Sequence, residues 1–355
     1  MYTHQHPLYQ EDIAYVSSLK VPWSKLAGKV VLVTGCSGMI GSCLIDVIMK
    51  KNADIGLGCR IVALGRNTSR AKIRFSDYWD SPLFCFFSID INNISDYHRF
   101  SGADYVIHLA SNTHPVAYAT DPVSTIVTNV LGTRNLLEIA KQKDSSRFIF
   151  ASSNEIYGEN RGDSELFSED YCGYIDCNSL RAGYPESKRC GEALCQAFHK
   201  QFGTDFVISR FTRTYGPTLQ SSDTKALSQF LWRGLNRESI ILKSDGSQFF
   251  SYSYVADAVA GLLFVLLKGE TCQAYNIADR SSDVTLKELA QMIAVICGTE
   301  VVFNLPDNNE KAGFSKVTKA RLDGSKLKAL GWKMNYGIED GVVRTLRMMM
   351  ETDIL

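Results

Sequence analysis

The chain has 355 residues, 45% apolar and 21% charged, enough for about two domains at ~150 residues each and within the range of compact globular proteins. Its 38 Lys and Arg balance its 38 Asp and Glu, which argues against a general electrostatic grip on nucleic acid or on an anionic membrane surface, so any anionic ligand must be held locally. The ten cysteines are scattered from Cys36 to Cys297 without a Cys-x-x-Cys pair and read as reduced core thiols of a cytoplasmic protein. No basic-then-apolar leader opens the chain and no run of about 18 apolar residues occurs, so neither a secretory signal nor a membrane span is expected.

Residues 1 to about 28 read as an appended arm with a short helix over Glu11 to Leu19, ending near Pro22-Trp23. From Lys29 onward, short continuously apolar runs (KVVLVTG, RIVALG, FFSIDI, DYVIHLA) alternate with longer periodic segments such as MIGSCLIDVIMKK. Strands that are apolar throughout belong to a parallel sheet covered on both faces. The rhythm continues with a helix from about Val123 to Lys143, the strand RFIFASS and a polar insertion from Glu159 to Arg181. The helix PESKRCGEALCQAFHKQF and the strand DFVISRF follow. After Tyr215-Gly216-Pro217 the signals shorten, which predicts a smaller second lobe, interleaved with the sheet because SYSYVADAVAGLLFVLLK and AYNIAD still read as core. The expected class is α/β: a doubly wound, Rossmann-type parallel sheet with an interleaved C-terminal substrate-binding lobe. The expected division is an arm over 1–28 and a dinucleotide-binding domain over 29–208 with returning segments at about 253–279. The lobe takes 209–252 and 280–355.

Gly35-Cys36-Ser37-Gly38-Met39-Ile40-Gly41 follows the first strand and opens a helix, the context a dinucleotide-binding turn requires. The first glycine allows the tight turn, the second lets backbone approach a pyrophosphate, and the third permits close packing of helix on strand. The helix N-terminus offers its unpaired N–H groups to the diphosphate. At the end of the second strand, Leu64-Gly65-Arg66-Asn67 carries no carboxylate for the adenosine ribose. Arg66 can pair with a 2′-phosphate, leaving NADP open beside NAD, or lie solvated over an adenine. Asp90, after the third strand, is placed to touch the adenine amine or to cap a helix.

Tyr184-Pro185-Glu186-Ser187-Lys188 sets a phenol and an ammonium four residues apart, on one face of a helix. A lysine beside a phenol favours the phenolate and lowers its pKa toward working pH while reaching the nicotinamide ribose, which makes Tyr184 a candidate base. Taken alone the pair reads as an unrelated surface feature; the glycine turn and a serine-bearing strand end reverse that. This strand end runs Ala151-Ser152-Ser153-Asn154-Glu155 and is expected to project Ser153, Asn154 and Glu155 into the cleft. Ser153 can hydrogen-bond a substrate hydroxyl or ketone oxygen, and Glu155 can move protons at a neighbouring carbon, unless Asn154 and Glu155 merely cap the next turn. His108 reads as buried and hydrogen-bonded, His114 as a candidate substrate contact. Neither has a partner at ligand spacing, so no metal is expected.

With these residues in place, the chain resembles the extended short-chain dehydrogenase/reductases that act on nucleotide sugars. The likeness runs from about Lys29 to Trp332 and includes His108-Leu109-Ala110-Ser111, Asn129-Val130-Leu131-Gly132-Thr133, Tyr215-Gly216-Pro217 and Tyr254-Val255-Ala256-Asp257. It implies a bound NAD, with NADP open, held by Gly35, Ser37, Gly38, Met39, Ile40, Gly41, Arg66, Asp90, Ile91, Leu109, Ala110, Ser111, Asn129, Ser152, Tyr184 and Lys188. It also implies a homodimer built on the helices over about Val123 to Lys143 and Tyr184 to Phe202, and no nucleic-acid or membrane partner. The implied opening step has Tyr184, assisted by Ser153 and Lys188, take the proton of the sugar C4 hydroxyl while the C4 hydride passes to nicotinamide.

Three outcomes branch from the resulting 4-ketone: loss of water to a 4-keto-6-deoxy sugar, loss of a C5 carboxylate, or return of hydride to the opposite face. The dTDP-glucose 4,6-dehydratases carry Thr-Asp-Glu where this chain has Ser153-Asn154-Glu155, and Asn154 cannot protonate a leaving hydroxyl. UDP-glucuronate decarboxylases and GDP-mannose dehydratases keep the Glu and replace the Asp by an uncharged residue, and the decarboxylases' loop resembles Ser111-Asn112-Thr113-His114-Pro115-Val116-Ala117-Tyr118. Against this, Thr218 stands where decarboxylases usually carry an arginine after Gly-Pro. Thr113, His114, Asn178, Arg181, Arg213 and Arg233 are the expected substrate contacts, with Arg181, Arg210 and Arg213 as candidate anchors for a uronate. Decarboxylation leads. A 4,6-dehydratase or 4-epimerase, an NADPH-dependent 4-ketoreductase favoured by Arg66, and a non-catalytic cofactor-binding protein are the alternatives.

Overall fold

The computed structural model describes residues 2–94, 96–113, 118, 120–143, 147–221, 223–304 and 318–352. Thirteen strands are assigned among the described residues: β1 (Val30–Thr34), β2 (Arg60–Gly65), β3 (Phe84–Ser88), β4 (Tyr105–His108), β5 (Arg147–Ser153), β6 (Asp205–Phe211), β7 (Arg213–Tyr215), β8 (Ile240–Leu242), β9 (Phe249–Tyr254), β10 (Gln273–Ile277), β11 (Asp283–Thr285), β12 (Val301–Phe303) and β13 (Lys319–Ala320). Seven of them form one sheet in the order β10-β6-β5-β4-β1-β2-β3, with every neighbouring pair parallel. Val31, Leu32, Val33, Val106, Ile107, Phe148 and Ile149 are fully buried on these strands, as continuous apolar runs require when both faces are covered. Strand order reverses between β1 and β4, so the crevice for a ligand lies at their carboxyl ends.

Helix α1 (Pro7–Ser18) belongs to the arm, and α2 (Met39–Ile55) and α3 (Thr68–Arg74) follow β1 and β2. The helix expected over Glu11 to Leu19 therefore begins at Pro7, where proline occupies the first turn and the His6 ring accepts from Leu8 N–H. The arm is docked into the body: Tyr9, Ile13 and Val16 are buried, and the buried Asp12 carboxylate accepts from Tyr254 Oη at 2.5 Å and from Arg344 at 2.8 Å.

The single helix expected from about Val123 to Lys143 is three consecutive pieces, α4 (Pro122–Val127), a π-helical turn (Thr128–Gly132) and α5 (Thr133–Ala140). A widened turn inserts one residue into the helical ladder and re-aims a side chain; here it carries Asn129. Helix α6 (Gly183–Phe202) holds the Tyr-x-x-x-Lys pair. The segment after Tyr215 contributes α7 (Ala226–Leu235), α8 (Val255–Lys268), α9 (Leu286–Cys297), α10 (Ser325–Ala329) and α11 (Ile338–Glu351). Its β10 returns to pair with β6 in the main sheet, and α8 is buried almost throughout, as the two apolar segments predict. Strands β7, β9, β11 and β13 form a second sheet, and β8 pairs with β12.

The cysteine expectation needs correction. Cys172, Cys177 and Cys190 are exposed, because two lie in the polar insertion and one on the outer face of α6. Among the described residues no helix is long and apolar enough to cross a membrane.

Candidate active site

The glycine turn closes over the crevice between β1 and β4. Gly35 has φ +65°, and a Cβ there would fall 2.7 Å from Ala110 N and 2.8 Å from Leu109 C, so only glycine lets the turn press against the chain leaving β4. A Cβ on Gly41 would collide with the Gly35 carbonyl. Gly38 is the N-cap of α2, whose first N–H groups have no partners within the helix. Ser37, Met39, Ile40, Leu109, Ala110 and Ser111 line up along these two segments, and the cradle fits a dinucleotide diphosphate. Arg66 is exposed at the end of β2. The exposed Asp90 accepts from Asn92 N–H at 3.0 Å, so its carboxylate caps the Ile91–Asn93 turn, while Ile91 is buried.

Buried Asn129 ties this crevice to the Tyr-x-x-x-Lys helix. Its Oδ1 accepts from Ser111 Oγ at 2.8 Å and its Nδ2 donates to Ser187 Oγ at 2.9 Å. His108 is buried between Thr34 Oγ1 at 3.0 Å and Thr133 Oγ1 at 3.1 Å. Burial, then the charge of Lys188, holds its pKa well below the ordinary imidazole value. It is the hydrogen-bonded core histidine that the sequence leads one to expect.

Tyr184 and Lys188 lie buried on one face of α6. Lys188 Nζ donates to Ala151 O at 2.8 Å and stands 6.0 Å from the centre of the Tyr184 ring. Burial lowers its pKa to about 7, with Glu192 opposing. Burial and then the Glu155 carboxylate push the Tyr184 phenol up, against hydrogen bonding to Ser153, the Arg181 charge and the Tyr118 hydroxyl. The simple expectation that Lys188 holds Tyr184 low is thus reversed in this structure, because two buried groups share a dry site and both resist charging.

Ser153, at the end of β5, is nearly buried, accepts from Glu155 N–H at 3.2 Å and hydrogen-bonds the Tyr184 phenol. Ser152 is buried with no hydrogen-bond partner for its hydroxyl, and Asn154 is buried beside Ser153. Glu155 and Arg181, expected in separate roles, form one ion pair: Arg181 Nη2 donates to Glu155 Oε1 at 2.7 Å. The same guanidinium lies 4.7 Å from the centre of the Tyr118 ring. Arg213 packs its guanidinium 3.5 Å from the centre of the Phe250 ring. Burial lowers its pKa against the nearby Tyr252 and Glu155. Arg181 Nη1 and Arg213 Nη1 are both buried without a hydrogen-bond partner.

Other candidates stand apart. Arg210 is consumed by Glu192 at 2.6 Å, Tyr157 Oη at 2.9 Å and Glu169 O at 2.6 Å, which leaves it no free donor face for a uronate. Arg233 is bonded to Ser239 O at 2.6 Å and paired with Glu238 at 3.3 Å, beyond the end of its own helix. Asn178 is exposed and bonded to Asp176. Thr113 is half-buried at the end of its described stretch, and His114 lies outside the described residues. Sequence spacing assigns no role of its own to Tyr118, whose ring stacks on Tyr184 at 4.7 Å; a contact between residues so distant in the chain leaves no local signal. No group of three metal-ligating side chains occurs among the described residues.

A parallel sheet in this order, with the glycine turn and a serine, tyrosine and lysine at its carboxyl edge, defines an extended short-chain dehydrogenase/reductase. Residues 31–278 match the model of the NAD dependent epimerase/dehydratase family, and the chain belongs to that family. UDP-glucuronic acid decarboxylase 6 of Arabidopsis thaliana is 29% identical over 313 residues, covering 88% of this chain and 86% of that protein. UDP-glucuronic acid decarboxylase 1 of Danio rerio is 28% identical, covering 90% and 72%. Among solved structures, dTDP-glucose 4,6-dehydratase from Streptomyces venezuelae, with NAD bound, has a TM-score of 0.76 at 25% identity over 91% of this chain and 97% of that chain. UDP-glucose 4-epimerase from Thermotoga maritima, with UDP-glucose, has a TM-score of 0.77 at 23% identity over 91% and 99%, a likeness of fold.

Proposed function

We propose that this protein binds a nicotinamide dinucleotide and a nucleotide-linked uronate, oxidises the sugar at C4, and releases the C5 carboxylate as carbon dioxide. The observation that carries this reading is the pair of buried, unpartnered guanidinium nitrogens, Arg181 Nη1 and Arg213 Nη1, around Glu155. Buried donors without acceptors are costly, about 1–3 kcal/mol each. A substrate carboxylate supplies the acceptors they lack. Asn154 supports the same branch, since decarboxylation needs no acid for a leaving hydroxyl, and so do the names of the relatives.

The glycine turn, Ser111, Asn129 and Lys188 would hold the dinucleotide, whose nicotinamide, when bound, supplies a hydride acceptor and donor for C4. As the phenolate, Tyr184 Oη takes the proton from the sugar O4 and returns it at the end, with Ser153 Oγ donating to O4 throughout; the positive charge that an oxidised nicotinamide would bring favours that phenolate against the burial that raises its pKa. Once C4 is a ketone, the C5 substituent is a β-keto acid. Its carbon–carbon bond breaks with the electron pair moving toward O4, which Ser153 and Tyr184 stabilise by hydrogen bonding. Glu155 and Arg181 are the groups able to hold the water that gives C5 its proton.

Incubation with UDP-glucuronate, UDP-glucose and dTDP-glucose, with products read by mass, tests the reading. A product lighter by carbon dioxide from UDP-glucuronate is expected, and Arg213→Gln should lower kcat/KM for it at least ~10-fold while UDP binds as before. Loss of water from a neutral sugar, or an isomer of unchanged mass, would instead establish the dehydratase or epimerase branch and overturn this one.

The arm, the dinucleotide-binding domain with its returning segments and the second lobe are read as the three working parts expected above, in a reducing, cytoplasmic setting. A homodimer is the proposed assembly, supported by Val123, Ile126, Leu131 and Leu180, which are 70%, 41%, 45% and 60% exposed beside α6. Sedimentation should give a dimer for the parent and a monomer for Val123→Asp/Leu131→Asp; a monomeric parent would sink that assignment.

A further inference from the structure

Lys188 is a buried amine whose counter-charge the mechanism leaves unassigned. It is 3% exposed, and an ammonium taken out of water keeps its charge only where an anion or strong dipoles oppose the loss of hydration. Its close setting is built into the helix: a Cβ on Gly191 would collide with the Phe150 ring, so glycine lets α6 press directly onto β5.

Each element packed against Lys188 contributes. From β5, Ala151 O accepts from Nζ at 2.8 Å and the Phe150 ring centre lies 4.9 Å from it; neither brings a charge. From β4 comes His108, whose ring is kept neutral by burial and then by the Lys188 charge. The Tyr184 phenol stands one turn before Lys188 on α6, and the carboxylate nearest to that phenol, Glu155, is held by Arg181. One turn after Lys188, on the same face of α6, stands Glu192. Burial lowers the Lys188 pKa to about 7, and the Glu192 carboxylate is what opposes it.

Glu192 is fixed in turn by a residue that no step of the reaction uses. Arg210, on β6 opposite Ser152 of β5, donates from Nε to Glu192 Oε1 at 3.0 Å and from Nη2 to Oε2 at 2.6 Å. A guanidinium that engages both oxygens holds a carboxylate in one orientation. Arg210 Nη1 is tied to Tyr157 Oη and Glu169 O, and Tyr157 Oη to Asn276 Oδ1 at 2.6 Å, so the clamp is braced on its far side.

We propose that Glu192, clamped by Arg210, is a positioning residue that keeps the Lys188 ammonium charged and thereby sets the upper pH at which the site works. A neutral Lys188 no longer favours a Tyr184 phenolate. The inference rests on the reading of Tyr184 as the base, and it gives the Arg210–Glu192 pair a task other than folding.

The test follows the Lys188 amine itself. Lysine is labelled with carbon-13 at Cε in the full-length protein, the Lys188 resonance is assigned with Lys188→Arg, and its pH titration is compared in the parent, Glu192→Gln and Glu192→Asp. Glu192→Gln keeps the shape without the charge and should titrate at least ~1 pH unit below the parent, as expected on removing a charge about one helical turn away in a dry site. Glu192→Asp keeps the charge and should stay within ~0.5 pH unit of the parent. A merely structural role predicts the opposite direction, since a loosened site admits water and raises the midpoint. Should Glu192→Gln fail to fold around an unpaired Arg210, Glu192→Gln/Arg210→Gln removes both buried charges together and should also titrate below the parent. Carbon dioxide release from UDP-glucuronate with NAD, followed over the same range, should fall off on the alkaline side at correspondingly lower pH in Glu192→Gln. A midpoint that stays or rises when the Glu192 charge is lost would overturn the proposal, and so would a lowered midpoint with an unmoved alkaline limb. A parent that releases no carbon dioxide at any pH would overturn the proposed reaction instead, with the resonance still deciding the role of Glu192.

Discussion

The rings of Tyr118 and Tyr184 lie stacked, with centroids 4.7 Å apart and planes 24° from parallel. This contact, with the Arg181 guanidinium on Tyr118 and Glu155 on Arg181, makes four residues from three separate segments one unit. Removing any of them changes what the others feel, so effects of single substitutions here are not additive.

Tyr118 acts on Tyr184 in two ways. Its ring covers one face of the phenol, and its hydroxyl lowers the Tyr184 pKa against the burial and the Glu155 charge that raise it. Tyr118→Phe keeps the stacked ring and removes only the hydroxyl, so Tyr184 should ionise at higher pH. Ultraviolet titration of Tyr118→Phe against the double variant Tyr118→Phe/Tyr184→Phe isolates the Tyr184 phenolate, and an onset below that of the parent would contradict this account of the site.

Asn129 joins Ser111 to Ser187 from a fully buried position. In Asn129→Ala both hydroxyls lose a partner, and the expected cost is ~1–3 kcal/mol of stability. Urea unfolding should show the midpoint falling with unchanged slope. A midpoint equal to that of the parent would mean that water replaces the amide without loss.

Asp257, fully buried at the start of α8, accepts from Asn335 N–H at 2.7 Å and Tyr336 N–H at 2.9 Å. Burial outweighs those bonds and raises its pKa from 3.8 to about 7. The folded chain then holds this proton more tightly than the unfolded one, so the contribution is present at low pH and is lost as pH rises from about 4 through about 7. Asp257→Asn removes the titration. Between these pH values the parent should lose up to ~4 kcal/mol that the variant does not, and urea midpoints that run parallel across the window would refute the assignment.

Much of this architecture is legible in the sequence because its signals are local. Continuous apolar runs identify β1, β2, β4 and β5, the first two ending at a glycine, and the spacing of Gly35, Gly38 and Gly41 identifies the turn that needs them. Tyr184 and Lys188 are found because they are one helical turn apart. What is not legible depends on contacts between distant segments. The Glu155–Arg181 pair joins a strand end to the polar insertion, and Asn129 faces Ser187 only because the helix widens into a π turn at Thr128–Gly132. The arm's place in the core likewise follows from Asp12 meeting Tyr254 and Arg344, partners that lie at the other end of the chain. The direction of the Tyr184 shift is misread from sequence for the same reason: spacing reveals the lysine but not the burial that outweighs it.

The central claim is that the Tyr184 hydroxyl carries the O4 proton. Its most direct test is single-turnover reaction of Tyr184→Phe, loaded with dinucleotide and given UDP-glucuronate, with carbon dioxide release timed against the parent. The account predicts a rate lower by ~10²–10⁴-fold with dinucleotide content unchanged; release at the parental rate would contradict it.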